Sequence, residues 1–179
     1  NELIAHSYSN VYGLSVTGLR FFTVYGPWGR PDMAPMIFTK SILNNEKIKV
    51  FNYGNMMRDF TFIDDIIEGI YLCCNKPATI NKEFNTNCPE PSTSFAPYRI
   101  FNIGNSKPIN LKDFIISLEH ELGKKSLQEF LPLQIGDVIS TYADTQKLHE
   151  WIGYKPNTPL NLGVKKFVKW YLNYYKYIN

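Results

Sequence analysis

The fold of this 179-residue chain is constrained most by its alternation of short β-forming segments with longer helical segments. A helical segment over residues 1–12 ends at a candidate C-cap, Gly13, and a strand rich in β-forming residues follows at Val16–Phe22. The same order recurs along the chain without an internal repeat. Alternating strands and helices predict an α/β fold, with too few strands for a complete doubly wound sheet.

Hydrophobic periodicity predicts the remaining elements. Helices are expected where apolar residues recur every three or four positions, over roughly residues 35–44, 63–74, 110–122, 144–151 and 158–175. Further strands are expected at 48–51, 58–62, 98–103 and 130–134. The helix beginning near Asp64 is predicted to bury one apolar face, made of Ile63, Ile66, Ile67, Ile70, Tyr71 and Cys74. Residues 76–97 contain four prolines and predict a long loop, to which we assign no chemistry.

The charge and cysteine content of the chain limit the kinds of molecule that it is expected to bind. The net charge is +3, from 19 Lys and Arg against 16 Asp and Glu, and charges of both signs are interspersed. This pattern argues against nucleic acid as a partner and leaves acidic small molecules open. Three cysteines without metal-ligand spacing, no apolar run that could span a bilayer and no signal peptide together predict a reduced, cytoplasmic chain without a membrane partner.

The first residue is Asn1 rather than Met, and it lies within the first helical segment. A domain rarely begins inside a helix without a cap. We therefore expect the chain to be the C-terminal piece of a longer protein.

Several kinds of catalytic site have no support in the sequence. His6, His120 and His149 are scattered and have no partner at ligand spacing, so no metal site is predicted. There is no nucleophile elbow. The segment Gly26–Gly29 has the wrong spacing for a phosphate-binding loop and contains a proline. The chain therefore has no dinucleotide fingerprint of its own.

Anion-binding groups remain as candidates. The irregular segment Arg20–Asp32 follows the carboxyl end of a strand, which is where ligands bind in open α/β sheets. It contains Arg30, and Arg58 precedes a predicted helix. Guanidinium groups suit phosphate and carboxylate. From the residues alone, the segment could equally be an ordinary surface loop, and Arg58 could form a salt bridge with Asp59 or Asp65.

Four motifs taken together indicate a family. In chain order, RFFTVYGPWGRPDM, RDFTFIDD, APYRIFNIGN and LPLQIGDVISTYAD resemble the extended short-chain dehydrogenase/reductases that act on nucleotide sugars, and most closely the UDP-glucuronate 4-epimerases. The resemblance covers the whole chain but only the C-terminal half of a family member. It implies that residues 1–24, with strand 98–104 returning to them, are the last strands and helices of a Rossmann domain. Residues 25–179 would then be a small α/β substrate-binding domain.

The resemblance also implies the chemistry of an intact parent protein. NAD takes a hydride from C4 of the sugar and returns it to the other face, while a Tyr from a Tyr-x-x-x-Lys pair transfers the proton. That pair is expected shortly before Asn1, so the chain holds no catalytic residue and should be inactive alone. The implied partners are a UDP-sugar and, in the parent, a second copy in a homodimer.

On the sugar side, the resemblance assigns Thr23 and Arg30 to the sugar carboxylate. Thr23 stands where the related galactose epimerases have Asn, which favours an acidic sugar. The backbone around Phe22 and Val24 would approach the nicotinamide.

On the nucleotide side, Arg58 would face the diphosphate, Val50 and Phe51 would line the uracil, and Asp137 would lie near the ribose. Gln134 stands where many relatives have a second arginine for the diphosphate, which leaves one charged contact in doubt.

Alternatives to the epimerase of UDP-glucuronate stay open at this point. A UDP-glucuronate decarboxylase would use a similar site and the same oxidation at C4. A fragment of a UDP-glucose/galactose 4-epimerase is less consistent with Thr23 and Arg30. A non-catalytic nucleotide-sugar binding module is the alternative from another class.

Overall fold

The computed structural model describes residues 1–177. Its helices are α1 Glu2–Tyr12, α2 Ala34–Asn44, α3 Ile63–Asn75, α4 Leu111–Leu122, α5 Gln146–Ile152 and α6 Leu160–Tyr174. Its strands are β1 Val16–Phe21, β2 Thr23–Tyr25, β3 Lys47–Val50, β4 Met57–Arg58, β5 Phe60–Phe62, β6 Tyr98–Ile103, β7 Ile109–Asn110 and β8 Leu127–Phe130. A 3₁₀ turn follows β3 at Phe51–Gly54.

The strands form two-stranded pairings, and three of the pairings are parallel. β1 pairs with β6, β2 with β5 and β3 with β8, whereas β4 and β7 are antiparallel. Parallel neighbours need crossover connections, which are usually helical, and the segments between the paired strands contain α2, α3 and α4. The predicted α/β fold is confirmed.

The largest core lies where β2 and β5 pack against α4 and α6. The rings of Phe60 and Phe114 are stacked with their centroids 4.2 Å apart, and Tyr25 packs edge-on against both. Helix α6 approaches closely because Gly163 has no side chain: a Cβ there would lie 2.1 Å from the Tyr25 hydroxyl. A smaller core, which includes Ile103, joins α3 and α5 to β6.

The apolar face predicted for α3 is partly wrong. Ile66 is buried as expected, but Ile67, Tyr71 and Cys74 are exposed, and Cys73 is buried instead. The reason lies at Gly69, where an added Cβ would come within 2.6 Å of the Ile103 side chain. The helix therefore packs on β6 through the side that carries its glycine, and the apolar periodicity alone did not identify that side.

The strand predicted at 130–134 lies earlier, at Leu127–Phe130, where it pairs with Lys47–Val50. The ladder ends where the partner strand turns into the 3₁₀ segment, in which Asn52 and Tyr53 have left-handed backbones. Phe51, predicted as the end of the preceding strand, begins the 3₁₀ turn.

The start of the last helix also differs from the prediction. Thr158 was expected to be its N-cap, but α6 begins at Leu160. The backbone N–H and the hydroxyl of Thr158 both donate to the Asp65 carboxylate instead, at 3.0 and 2.9 Å.

Two other local predictions are confirmed. The Asn110 side chain caps α4 by accepting the N–H of Lys112 at 2.9 Å. Residues 76–97 form neither helix nor extended strand, apart from a bridge between Thr93 and Arg99. Within residues 1–177, none of the helices combines the length and apolar character that crossing a bilayer requires.

Candidate functional site

A cavity of about 610 Å³ opens between β2, α2, β3 and β4. This volume falls in the range typical of small-molecule sites. Its apolar walls include Met33, Phe38, Met56, Phe60 and Leu111. Several of these side chains also belong to the largest core, so one wall of the cavity is the rigid surface of that core.

The cavity brings together five residues that the sequence analysis assigned to a nucleotide sugar: Thr23, Phe51, Arg58, Gln134 and Asp137. They come from four separate parts of the chain. Thr23 is in β2, Phe51 follows β3, Arg58 ends β4, and the last two lie beyond β8. Only the tertiary fold makes them neighbours.

Four other predicted site residues lie outside the cavity lining. Val50 is fully buried in the core, and its carbonyl accepts the N–H of Leu131 at 3.0 Å. Phe22 and Val24 follow the end of β1 and are half-buried. Arg30 is exposed and lies beside the cavity rather than in its wall.

Lys47, Lys49 and Asp32 also line the cavity and were not among the site residues predicted from the sequence. Strand alternation could have identified the two lysines. In β3 successive side chains point to opposite faces, so both lysines share one face while Ile48 and Val50 face the core. By the same argument the Val50 side chain faces the core and does not line the cavity.

The guanidinium of Arg58 is held by backbone oxygens. Its Nη1 donates to the carbonyl of Met57 at 3.0 Å and to that of Ile139 at 3.2 Å. The expected alternative, a salt bridge to Asp59 or Asp65, is wrong, because within residues 1–177 these carboxylates accept from other groups. Arg58 therefore enters the cavity wall without a carboxylate partner.

Arg30 forms an exposed pair with Asp32. Nε donates to Oδ1 at 3.1 Å and Nη2 donates to Oδ2 at 2.6 Å. The hydrogen bond from Arg30 lowers the pKa of the Asp32 carboxyl. Since Asp32 also lines the cavity, the pair places the guanidinium at the cavity's edge.

The loop that carries this pair is anchored by an aromatic contact. Trp28 has a left-handed backbone, with φ of 62°, and its ring lies 4.9 Å from that of Tyr174 and 5.5 Å from that of Trp170. A left-handed conformation is uncommon for a bulky residue, so these contacts with α6 hold the loop in its observed shape.

The combination of residues suits binding more than reaction. Cationic and hydrogen-bonding groups on one side and apolar walls on the other fit an anionic ligand that also has a planar or apolar part. Nearby Tyr25 is a core residue, and burial raises the pKa of its hydroxyl far above the usual range. Across residues 1–177, no group of three or more His, Cys, Asp or Glu side chains is arranged to hold a metal ion.

Comparison with known proteins identifies the class. The model of the "NAD dependent epimerase/dehydratase family" matches residues 1–104. The chain therefore belongs to the NAD-dependent epimerase/dehydratase family, and the family predicted from the motifs is confirmed.

Within this family, the chain is similar to the following individual proteins. The chain is 54% identical to protein CapI of Staphylococcus aureus over 176 residues, which is 98% of this chain and 53% of that protein. It is 46% identical to UDP-glucuronate 4-epimerase 2 of Arabidopsis thaliana over 179 residues, covering 98% of this chain and 40% of the relative. The chain thus spans about half the length of the curated relatives it matches.

A solved structure shows the same architecture. The crystal structure of UDP-glucuronic acid 4-epimerase from Bacillus cereus, in complex with UDP-glucuronic acid and NAD, superposes with a TM-score of 0.78 at 30% identity. The superposition covers 97% of this chain and 50% of that one.

Proposed function

We propose that this chain is the substrate-binding part of an NAD-dependent nucleotide-sugar 4-epimerase that converts UDP-glucuronate to UDP-galacturonate. One observation carries the proposal: five residues that the family motifs assign to the nucleotide sugar, from four parts of the chain, line one cavity. We further propose that residues 25–179 form the substrate-binding domain. Residues 1–24 and strand 98–104 then belong to the cofactor domain, consistent with the parallel pairing of β1 and β6.

At the nucleotide end, Arg58 faces the diphosphate. Two of its N–H groups are fixed on carbonyl oxygens, so the guanidinium is oriented before the ligand arrives. Phe51 and Lys49 line the uracil, since the Val50 side chain belongs to the core. Asp137 contacts the ribose, and Gln134 offers a neutral amide near the phosphates.

At the sugar end, Thr23 and Arg30 bind the carboxylate. Arg30 now holds the Asp32 carboxylate through two parallel hydrogen bonds, which is the geometry it would use for a sugar acid. An exposed pair of this kind is worth about 0–1 kcal/mol, so exchanging one carboxylate for another costs little.

For NAD, the chain supplies one edge of a site. Phe22 and Val24 follow the carboxyl end of β1, where ligands bind in open α/β sheets. The 179 residues contain neither a Gly-rich phosphate loop nor a Tyr-x-x-x-Lys pair. When bound, NAD supplies the hydride acceptor for C4. We propose that this chain orients the sugar and takes no part in proton transfer.

Calorimetric titration of the chain with UDP-glucuronate, UDP-glucose and UDP tests the proposal. Arg58→Ala should weaken all three by about tenfold or more, because a hydrogen bond to a charged group contributes about 1.5–3 kcal/mol. Arg30→Ala should weaken UDP-glucuronate by about tenfold and leave UDP-glucose within about twofold.

Arg20→Ala is the matched control. Arg20 is exposed and forms the same two-bond pair with Glu2, at 2.7 Å for both bonds, but it lies away from the cavity. Its loss should leave all affinities unchanged. Absence of binding by the unaltered chain would overturn the proposal, and equal weakening of both sugars by Arg30→Ala would exclude the acid-sugar assignment.

A further inference from the structure

Asp59 is a fully buried carboxylate next to Arg58. Its Oδ1 accepts the N–H of Asn105 and its Oδ2 accepts the N–H of Ala143, both at 2.9 Å. Within the described residues it forms no salt bridge, so backbone N–H groups balance its charge. Asp59 itself does not line the cavity, but its neighbours Arg58 and Phe60 do.

The backbone of Asp59 makes two more connections. Its N–H donates to the hydroxyl of Thr141 at 3.1 Å, and its carbonyl accepts the N–H of Thr23 at 3.2 Å. One residue therefore joins the end of β6, the start of β2 and the segment 141–143.

The segment 141–143 in turn supports Arg58. The carbonyl of Ile139, two residues before Thr141, accepts from the Arg58 guanidinium. Met57 also pairs with this stretch, since its N–H donates to Ile139 at 2.9 Å and its carbonyl accepts from Thr141 at 3.2 Å. Anchoring the segment at Ala143 therefore fixes the oxygen that orients the guanidinium.

Close packing at Gly104 shows that this arrangement is tight. A Cβ on Gly104 would lie 2.6 Å from the Ala143 side chain, so only glycine admits the segment this close to the end of β6. The N–H of Asn105 is shared between Asp59 and the buried hydroxyl of Thr61, at 2.9 Å to each.

We infer that Asp59 is a positioning residue. Its buried carboxylate holds segment 141–143 against the end of β6 and thereby sets Arg58 and Thr23 in the geometry that binds the nucleotide sugar. The inference rests on the function proposed for the cavity.

The test compares Asp59→Asn with Asp65→Asn. Each substitution replaces one acceptor oxygen by an NH2 donor, which must then face a buried N–H or hydroxyl donor. Asp65 is also buried and also binds backbone and hydroxyl donors, but its partners, Thr158 and Tyr154, do not line the cavity. Both variants should lower the melting temperature, while only Asp59→Asn should weaken UDP, by about tenfold or more. Equal UDP affinities in the two variants would overturn the inference.

A readout without ligand separates this inference from the proposed function. In ¹⁵N-labelled chains, the amides of Thr23 and Ala143 should exchange at least about tenfold faster in Asp59→Asn than in Asp65→Asn. Unchanged exchange at both amides would overturn the positioning role. If the unaltered chain fails to bind UDP, the proposed function fails, and amide exchange still decides the role of Asp59.

A milder pair of variants covers the case in which Asp59→Asn does not fold. Thr141→Val removes the hydroxyl that accepts the Asp59 N–H, and Thr141→Ser retains it. We expect Thr141→Val to speed exchange at Thr23 and Thr141→Ser to restore the original rate. Equal rates in the two variants would contradict the inference.

Discussion

Two regions of the molecule differ in how completely their helices bury apolar side chains. The cavity region, made of β2–β5, β7, β8, α2, α4 and α6, encloses Phe114 and Phe167 completely. The ribbon region, made of α1, β1 and β6, leaves Leu3 and Val11 of α1 largely exposed. The cavity region thus has a core that can hold a binding site in shape, whereas α1 has an apolar surface that nothing covers in the described structure.

Packing between separate elements, rather than local helix signals, orders the cavity region. In α1 only Ser9 is buried, although the helix is amphipathic and correctly capped by Gly13 in a left-handed conformation. Local signals are therefore sufficient to form a helix but not to bury it. In the cavity region, aromatic side chains from separate elements pack together, and this packing fixes the position of the cavity wall.

The largest expected effect contrasts the buried core of the cavity region with the exposed face of α1. Phe114→Ala removes a fully buried ring stacked on Phe60 and should lower the free energy of unfolding by about 3–5 kcal/mol. Ile4→Ala, at a position 64% exposed on α1, should change it by no more than about 0.5 kcal/mol. Urea denaturation of both variants measures the contrast. Similar losses would show that the two regions are equally packed.

A second prediction concerns the exposed side chains of α1. Replacing Leu3, Ile4 and Val11 together by Ser should weaken self-association of the chain by about tenfold, because exposed apolar patches drive association. Sedimentation velocity measures the change. Leu162→Ser, at a half-exposed position on α6, is the control and should leave association unchanged. An unaltered sedimentation profile in the triple variant would show that α1 is not the contact surface.

The smallest effect is expected where the loop 76–97 meets α5. The hydrogen bond from Lys147, with further bonds from Ser92, lowers the pKa of Glu90 from 4.5 to about 2. A carboxyl group whose pKa is lowered by folding stabilises the folded state at pH values above its ordinary pKa of 4.5. This contribution disappears as the pH falls from 4.5 toward 2.

Both partners of this pair are about half exposed, so Glu90→Gln should cost less than about 0.5 kcal/mol at neutral pH. Denaturation of the variant and the parent chain from pH 7 downward should show the difference shrinking below pH 4.5. A difference that grows on acidification would contradict this sign.

Much of the secondary structure could be predicted because its signals are local. Apolar spacing and capping residues placed all six helices to within a few residues, and the family motifs selected Thr23, Arg58 and Asp137. The errors arose where distant residues decide. The buried side of α3 is set by the close packing of Gly69 against Ile103. Thr158 does not cap the last helix because its hydroxyl donates to the Asp65 carboxylate.

In the candidate site, too, some features follow from local sequence signals and others depend on distant residues. Strand alternation contains the information that Lys49, and not Val50, faces the cavity. The pairing of Arg30 with Asp32 depends on a loop whose left-handed Trp28 is held by rings of α6 more than 140 positions away in the chain, and no local pattern encodes it.

We propose that the cavity region, and not the ribbon region, binds the nucleotide sugar. Titrating the ¹⁵N-labelled chain with UDP-glucuronate while recording backbone amide and arginine Nε–H resonances tests it directly. We expect shifts at Thr23, Phe51 and Arg58, with the amides of α1 unchanged. Shifts confined to the ribbon region, or no shifts at saturating ligand, would contradict it.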